Sequence, residues 1–145
     1  NLSSHQRLLT AATPFLQQSL DGAVVFIASR NVPAPGPGAS AYSVAKAGLT
    51  QLARVASLEL GSYGVRVNVL HPDCVYDTGL WSDDVLQGRA EKYGMSVEAY
   101  KSRNILKKEV TSREVAEMVA AVAGPVFLKT TGAQIPIDGG NDRVI

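Results

Sequence analysis

The chain has 145 residues, a formal net charge of +1 and 46% hydrophobic residues, enough to bury one core. A charge so nearly balanced leaves no electrostatic footprint for nucleic acid, and no apolar run reaches the length that spans a bilayer. Cys74 is the one cysteine, which excludes an internal disulfide; with no signal-peptide pattern in the opening NLSSHQRLL, a cytoplasmic location is expected.

Residues 1–20 predict an amphipathic helix in which Leu8, Leu9, Ala12, Phe15, Leu16 and Leu20 keep helical spacing. Pro14 within it predicts a kink or a late start, and Asp21-Gly22 ends it. Residues 23–28, AVVFIA, are continuous and uncharged, the pattern of a strand buried on both faces in a parallel sheet. Ser29 stands at the carboxyl end of that strand, outside which open α/β sheets bind their ligands. Pro33, Pro35, Gly36, Pro37 and Gly38 make residues 30–41 a loop, with Ser40 as the expected N-cap of a helix over 42–60. That helix is apolar on more than one side, as a helix in a large core or at an interface is. Gly61 and Gly64 bracket its stop, and residues 65–70 predict a second buried strand in which Val65, Val67 and Val69 alternate with Arg66, Asn68 and Leu70. Residues 77–104 predict two short helices broken at Gly94, in the position of a lid over a substrate. Thr111 and Glu114 form a capping-box signature, and Val115, Met118, Val119 and Val122 make the stripe of the helix it opens. Gly124-Pro125 stops that helix, residues 133–137 form the last strand, and Asp138-Gly139-Gly140 closes it. Three strands alternating with helices give an α/β class with a parallel sheet.

Tyr42 and Lys46 are four residues apart and share a helical face. An ammonium stabilises a neighbouring phenolate, so the pair suits giving a proton to a carbonyl oxygen or taking one from an alcohol. Ser29 can donate a hydrogen bond to a substrate oxygen on which negative charge develops. The carbon partner in such chemistry is a hydride carrier. A tyrosine four before a lysine is a weak signal alone, because a half-buried aromatic beside a solvated amine reads the same. The context adds weight: a buried strand, its terminal serine, 12 intervening residues, then tyrosine and lysine entering a helix.

With Ser29, Tyr42-Ser43-Val44-Ala45-Lys46 and Gly64-Val65-Arg66-Val67-Asn68, the chain resembles the C-terminal half of the short-chain dehydrogenase/reductase family. The resemblance implies the C-terminal half of a Rossmann-like doubly wound parallel sheet and NAD or NADP as cofactor. It makes Tyr42 the acid/base, Lys46 the group that eases its ionisation and orients the cofactor ribose, and Ser29 the group that polarises the substrate. The family also has an asparagine that anchors a proton relay; Asn1 matches its position, and a frayed terminus or an N-cap is the alternative. Pro72 and Val75 match the Pro-Gly-x-Val segment along the nicotinamide, so the expected cofactor contacts are Tyr42, Lys46, Pro72 and Val75. Asp73 departs from that pattern, and Asp77 stands where a hydroxyl is usual, with Thr78 one place on. In the family the helices matching residues 2–20 and 42–60 pair across a two-fold axis, which implies a homodimer or homotetramer.

No Gly-rich phosphate turn opens the chain, so the dinucleotide-binding half is absent from residues 1–145, and a fragment of a longer protein is the favoured reading. Pro72-Asp73-Cys74-Val75, Leu80-Trp81, Arg89-Ala90, Tyr93-Gly94, Tyr100, Arg103 and Leu106-Lys107 resemble the dehydrogenase part of bifunctional rhamnulose-1-phosphate aldolase/lactaldehyde dehydrogenase proteins. That implies lactaldehyde or a small hydroxy-aldehyde as substrate; a 3-oxoacyl thioester or a sugar is the alternative within the family, and a cofactor-free oligomerisation module the alternative outside it. Six further residues carry two readings each or a plain one. His71 reads as a hydrogen-bonded structural residue, and Cys74, with no base nearby in sequence, is not an expected nucleophile. Trp81 packs on a substrate or on the scaffold. Arg103, Lys107 and Lys108 meet an anionic group or form a solvated face. No metal site is expected.

Overall fold

The computed structural model describes residues 1–140. Its central element is the strand β2 (Arg66–Pro72), buried along its whole length. β1 (Ala23–Ile27) pairs with it in parallel, Ala23 opposite Arg66 and Ile27 opposite Leu70. β3 (Gln134–Ile137) pairs in parallel on the other side, from Val69 to Pro72. Parallel neighbours need helical crossovers. α1 (Ser3–Leu16) precedes β1, α2 (Ser40–Leu60) joins β1 to β2, and α3 (Asp83–Lys92), α4 (Val97–Lys101) and α5 (Ser112–Ala123) lie between β2 and β3. The result is the expected α/β arrangement with strand order β1-β2-β3.

Period-two alternation in β2 divides its two faces. Val67 and Val69 join Phe26 of β1 against Leu49, Ala53, Ala56 and Leu60 of α2, which repeat at helical spacing. Arg66 and Asn68 are also buried, and each is satisfied. The Arg66 guanidinium donates to the Val122 and Ala123 carbonyls at 3.1 and 2.9 Å, filling the C-terminal end of α5, and to the Asp21 carboxylate at 2.9 Å. The Asn68 amide donates to the Thr130 carbonyl and accepts from the Ala133 N–H, which aligns β3.

Four sequence expectations change. α1 covers Ser3–Leu16 rather than 1–20: it starts well before Pro14, ends four residues short of Leu20, and buries none of its residues. Its stripe is split, since Leu9 and Leu16 pack on the core while Leu8, Phe15 and Leu20 are 69%, 77% and 106% exposed. β1 is only half-buried apart from Phe26, because it is an edge of the sheet rather than an interior strand. Ser40 is the first helical residue of α2 and caps nothing: the Ser43 N–H already bonds the Ala39 carbonyl at 2.8 Å, so the helix begins a residue earlier than a Ser40 cap allows. β2 runs from Arg66 to Pro72 rather than over 65–70, since the Val65 N–H turns back to the Leu60 carbonyl while ladder bonds continue to Pro72. The remaining differences are at element ends: β1 stops at Ile27 rather than Ala28, α2 starts at Ser40 rather than Tyr42, and β3 starts at Gln134 rather than Ala133. Gly94 sits at φ 63 between the two short lid helices, and the Thr111–Glu114 capping box forms in both directions. Gly22 is required by close approach, as a Cβ there would lie 3.0 Å from Val65 and 3.2 Å from the Leu16 carbonyl.

Replacing Arg66 by Ala leaves the end of α5 without its donors, and the expected loss is about 2–3 kcal/mol in chemical denaturation. Asp21→Asn, at the exposed end of the same ion pair, is expected to cost less than about 1 kcal/mol.

Candidate active site

The ladder continues past β1. The Ala28 N–H bonds the Leu70 carbonyl at 2.8 Å and the Arg30 N–H bonds the Pro72 carbonyl at 3.0 Å, which holds Ser29 between them beside the carboxyl end of β2. A cleft of about 590 Å³ opens there. Ser29, Tyr42, Lys46, Pro72 and Val75 all stand in its wall. Asn1 does not: it precedes α1 and is exposed, although its neighbour Leu2 packs against Gly48 on α2.

Each of the central three has a distinct hydrogen-bonding state. The Ser29 hydroxyl oxygen accepts from the Asn31 N–H at 3.2 Å, which leaves its O–H available to donate. The Lys46 ammonium is buried and donates to the Ile27 carbonyl at 2.7 Å. Burial pushes that ammonium below its ordinary value. Lys46 Nζ also lies 5.9 Å from the centre of the Tyr42 ring, whose residue is 40% exposed toward the cleft. His71 takes the structural role: Nδ1 bonds the Ser29 carbonyl at 2.9 Å and must carry the proton, because a carbonyl only accepts.

The departures at Asp73 and Asp77 acquire physical reasons. Asp73 pairs with Arg30 at 2.6 Å, both side chains largely buried, so opposite charges follow directly on the ends of the two adjacent strands. Sequence reasoning missed this pair, although an acidic residue next to Pro72 and a basic one next to Ser29 were the available signal. Asp77 turns away from the cleft: its carboxylate accepts from the Ser112 N–H and hydroxyl at the start of α5, bonds that hold it below the usual carboxylate range. Thr78 takes the place in the cleft wall and donates its hydroxyl to the Val75 carbonyl.

The lid rests on a cluster of Tyr76, Leu86, Ala90 and Tyr100. Trp81 packs on the scaffold, edge-on against Tyr76 at 4.9 Å, and it also lines the cleft. Arg103 lines the cleft, whereas Lys107 and Lys108 are exposed and lie outside its wall. Among the described residues no group of three or more His, Cys, Asp or Glu side chains is placed to hold a metal ion, and no helix is long and apolar enough to cross a membrane.

Residues 1–142 match the family model described as enoyl-(acyl carrier protein) reductase. The oxidoreductase YuxG of Bacillus subtilis is 38% identical over 128 residues, which make up 85% of this chain and 19% of that protein. The 2,3-dihydro-2,3-dihydroxybenzoate dehydrogenase of Escherichia coli is 36% identical over 124 residues, 83% of this chain and 49% of its own length. An NADPH-bound short-chain oxidoreductase of Pseudomonas aeruginosa, described as containing an atypical catalytic center, has a TM-score of 0.77 at 29% identity, covering 91% of this chain and 50% of that one. The chain spans about half the length of the curated relatives it matches, or less.

Burial, with the Asp73 charge beside it, pushes the Cys74 thiol above its ordinary value. Its alkylation by iodoacetamide is therefore expected to keep accelerating above about pH 9, where a small free thiol levels off. A plateau at or below the pH of the free thiol would contradict this environment.

Proposed function

The chain belongs to the short-chain dehydrogenase/reductase family, and on that premise we propose that the full-length protein transfers a hydride between NAD or NADP and a small alcohol or carbonyl compound. The observation that supports this reading is the meeting of Ser29, Tyr42 and Lys46 in one cleft with Pro72 and Val75. In this reading the unclaimed Ser29 O–H donates to the substrate oxygen, and Tyr42 gives that oxygen its proton or removes it. Lys46 stabilises the phenolate and holds the cofactor ribose with the donors that Ile27 does not use. Asn1 anchors a proton relay behind Lys46, a role supported by Leu2 packing only two residues beyond it, at Gly48.

The residues present fit the nicotinamide and ribose end of the cofactor: Lys46 supplies donors, and Pro72 and Val75 supply apolar contact. When bound, the nicotinamide supplies or takes up the hydride. The diphosphate falls to a preceding Gly-rich half, so we place residues 1–145 inside a longer polypeptide. The aligned part is 19% of the Bacillus protein, which is therefore much longer than this chain; a fusion of the rhamnulose-1-phosphate aldolase/lactaldehyde dehydrogenase type is the form we propose for the polypeptide here. The substrate in that case is lactaldehyde or a related hydroxy-aldehyde. A homodimer or homotetramer through α1 and α2 is supported by Leu8, Phe15, Val44 and Leu58, all more than two-thirds exposed. The same exposed face is what favours the second reading, a cofactor-free oligomerisation module.

In the full-length protein, Tyr42→Phe is expected to lower NAD(P)-linked kcat by about 10²–10⁴-fold. A kcat close to wild type removes the oxidoreductase reading. Thermal stabilisation by NAD(P) separates the two readings, since a cofactor-free module shows none. Phe15→Asp with Leu58→Asp is expected to yield monomers in sedimentation equilibrium, and an unchanged oligomer would place the interface elsewhere.

A further inference from the structure

Two guanidiniums stand in the cleft wall without an anionic partner among the described residues. Arg103 is half-buried, its guanidinium carbon 4.6 Å from the centre of the Tyr100 ring and 5.2 Å from that of Tyr93. Arg89 enters the same wall from the exposed side of α3. Among the described residues neither forms an ion pair, whereas Arg30, Arg66, Lys101 and Arg113 all do. Asp73 is the one acidic side chain among the described residues that line the cleft, and Arg30 already holds it. Both rings lie within cation–π distance of the Arg103 guanidinium, which carries five N–H donors in one plane. That planar fork matches a carboxylate or a phosphate. Both guanidiniums are close enough to Tyr100 to oppose the effect of burial on its phenol, so they act on a shared volume.

We propose that Arg103, assisted by Arg89, binds an oxyanion of the substrate, a carboxylate or a phosphate, at the lid side of the cleft. The inference rests on the oxidoreductase reading for the word substrate, but the anion site itself does not. Tyr42 and Lys46 enter from α2 and the two arginines from the lid, so the charged end of the molecule sits on the arginines while its carbonyl or hydroxyl meets Ser29 and Tyr42. This narrows the substrate to hydroxy-carbonyl compounds that carry an oxyanion, which lactaldehyde itself lacks. Arg103 is then a specificity-determining residue and the aromatic pair its support.

The test uses the full-length protein with lactaldehyde as the neutral probe and glyceraldehyde 3-phosphate and lactate as the anionic ones. In Arg103→Ala the ratio of kcat/KM for an anionic probe to that for lactaldehyde is expected to fall about tenfold or more, with Arg103→Lys in between. Arg89→Ala, on an exposed helix face, is expected to lower the same ratio by less and serves if the Arg103 variants do not fold. An unchanged ratio overturns the proposal. A rise in KM confined to NAD(P) also overturns it, by assigning the guanidinium to the cofactor. Titration calorimetry with inorganic phosphate needs no turnover. If the wild-type protein shows no NAD(P)-linked turnover yet loses phosphate binding on Arg103→Ala, the anion site stands and the oxidoreductase reading falls. If wild-type protein binds no phosphate and prefers no anionic probe, the anion site falls.

Discussion

The 2.7 Å bond from Lys46 to the Ile27 carbonyl ties the crossover helix to the end of the edge strand, and the shape of the cleft follows from it. A buried ammonium requires an acceptor, and the strand end offers one beside the second turn of α2. Lys46 is therefore pinned, and Tyr42, one turn earlier on the same face, is directed into the cleft. The rest of α2 is held mainly by apolar contact: Leu49, Ala53, Ala56 and Leu60 are buried against Val67 and Val69. Two kinds of force thus act along one helix. Its far end is set by packing, its near end by a single charged hydrogen bond at the site.

The interior of this sheet carries more polar chemistry than its run of valines suggests. Arg66, Asn68 and His71 share one strand, and each finds partners on a different element: α5, the loop leading to β3, and the carbonyl of Ser29. Buried polar groups cost stability unless satisfied, so these bonds contribute orientation more than net free energy. Arg30 and Asp73 extend the same logic to the strand ends, where their ion pair forms part of the cleft wall. With that pair balanced, Lys46, Arg89 and Arg103 are the other charged side chains among the described residues of the cleft wall.

Apolar surface remains uncovered on one side. β1 exposes one hydrogen-bonding edge together with partly exposed Val24 and Val25, and α1 leaves Leu8 and Phe15 bare. An edge of this composition is unusual in a finished sheet, which blunts its edges with charge or covers them. The chain spans about half the length of curated relatives it matches.

The sequence by itself determined the class of fold, the order of its elements and most of the cleft wall. Continuous apolar strands, helical spacing and a capping box are local signals, and Ser29, Tyr42 and Lys46 stood out because strand ends and helix starts can be located from such signals, while Pro72 and Val75 came from the family resemblance. Local signals do not report what lies across the sheet. Whether β1 is interior or edge depends on pairing, and the inward or outward turn of Leu8 and Phe15 depends on which neighbour covers α1. Asp77 capping α5 across 35 residues and Arg30 meeting Asp73 are contacts between distant segments. Only the folded chain decided them, because nothing in the spacing of residues along a strand or helix encodes the partner that tertiary packing brings to it.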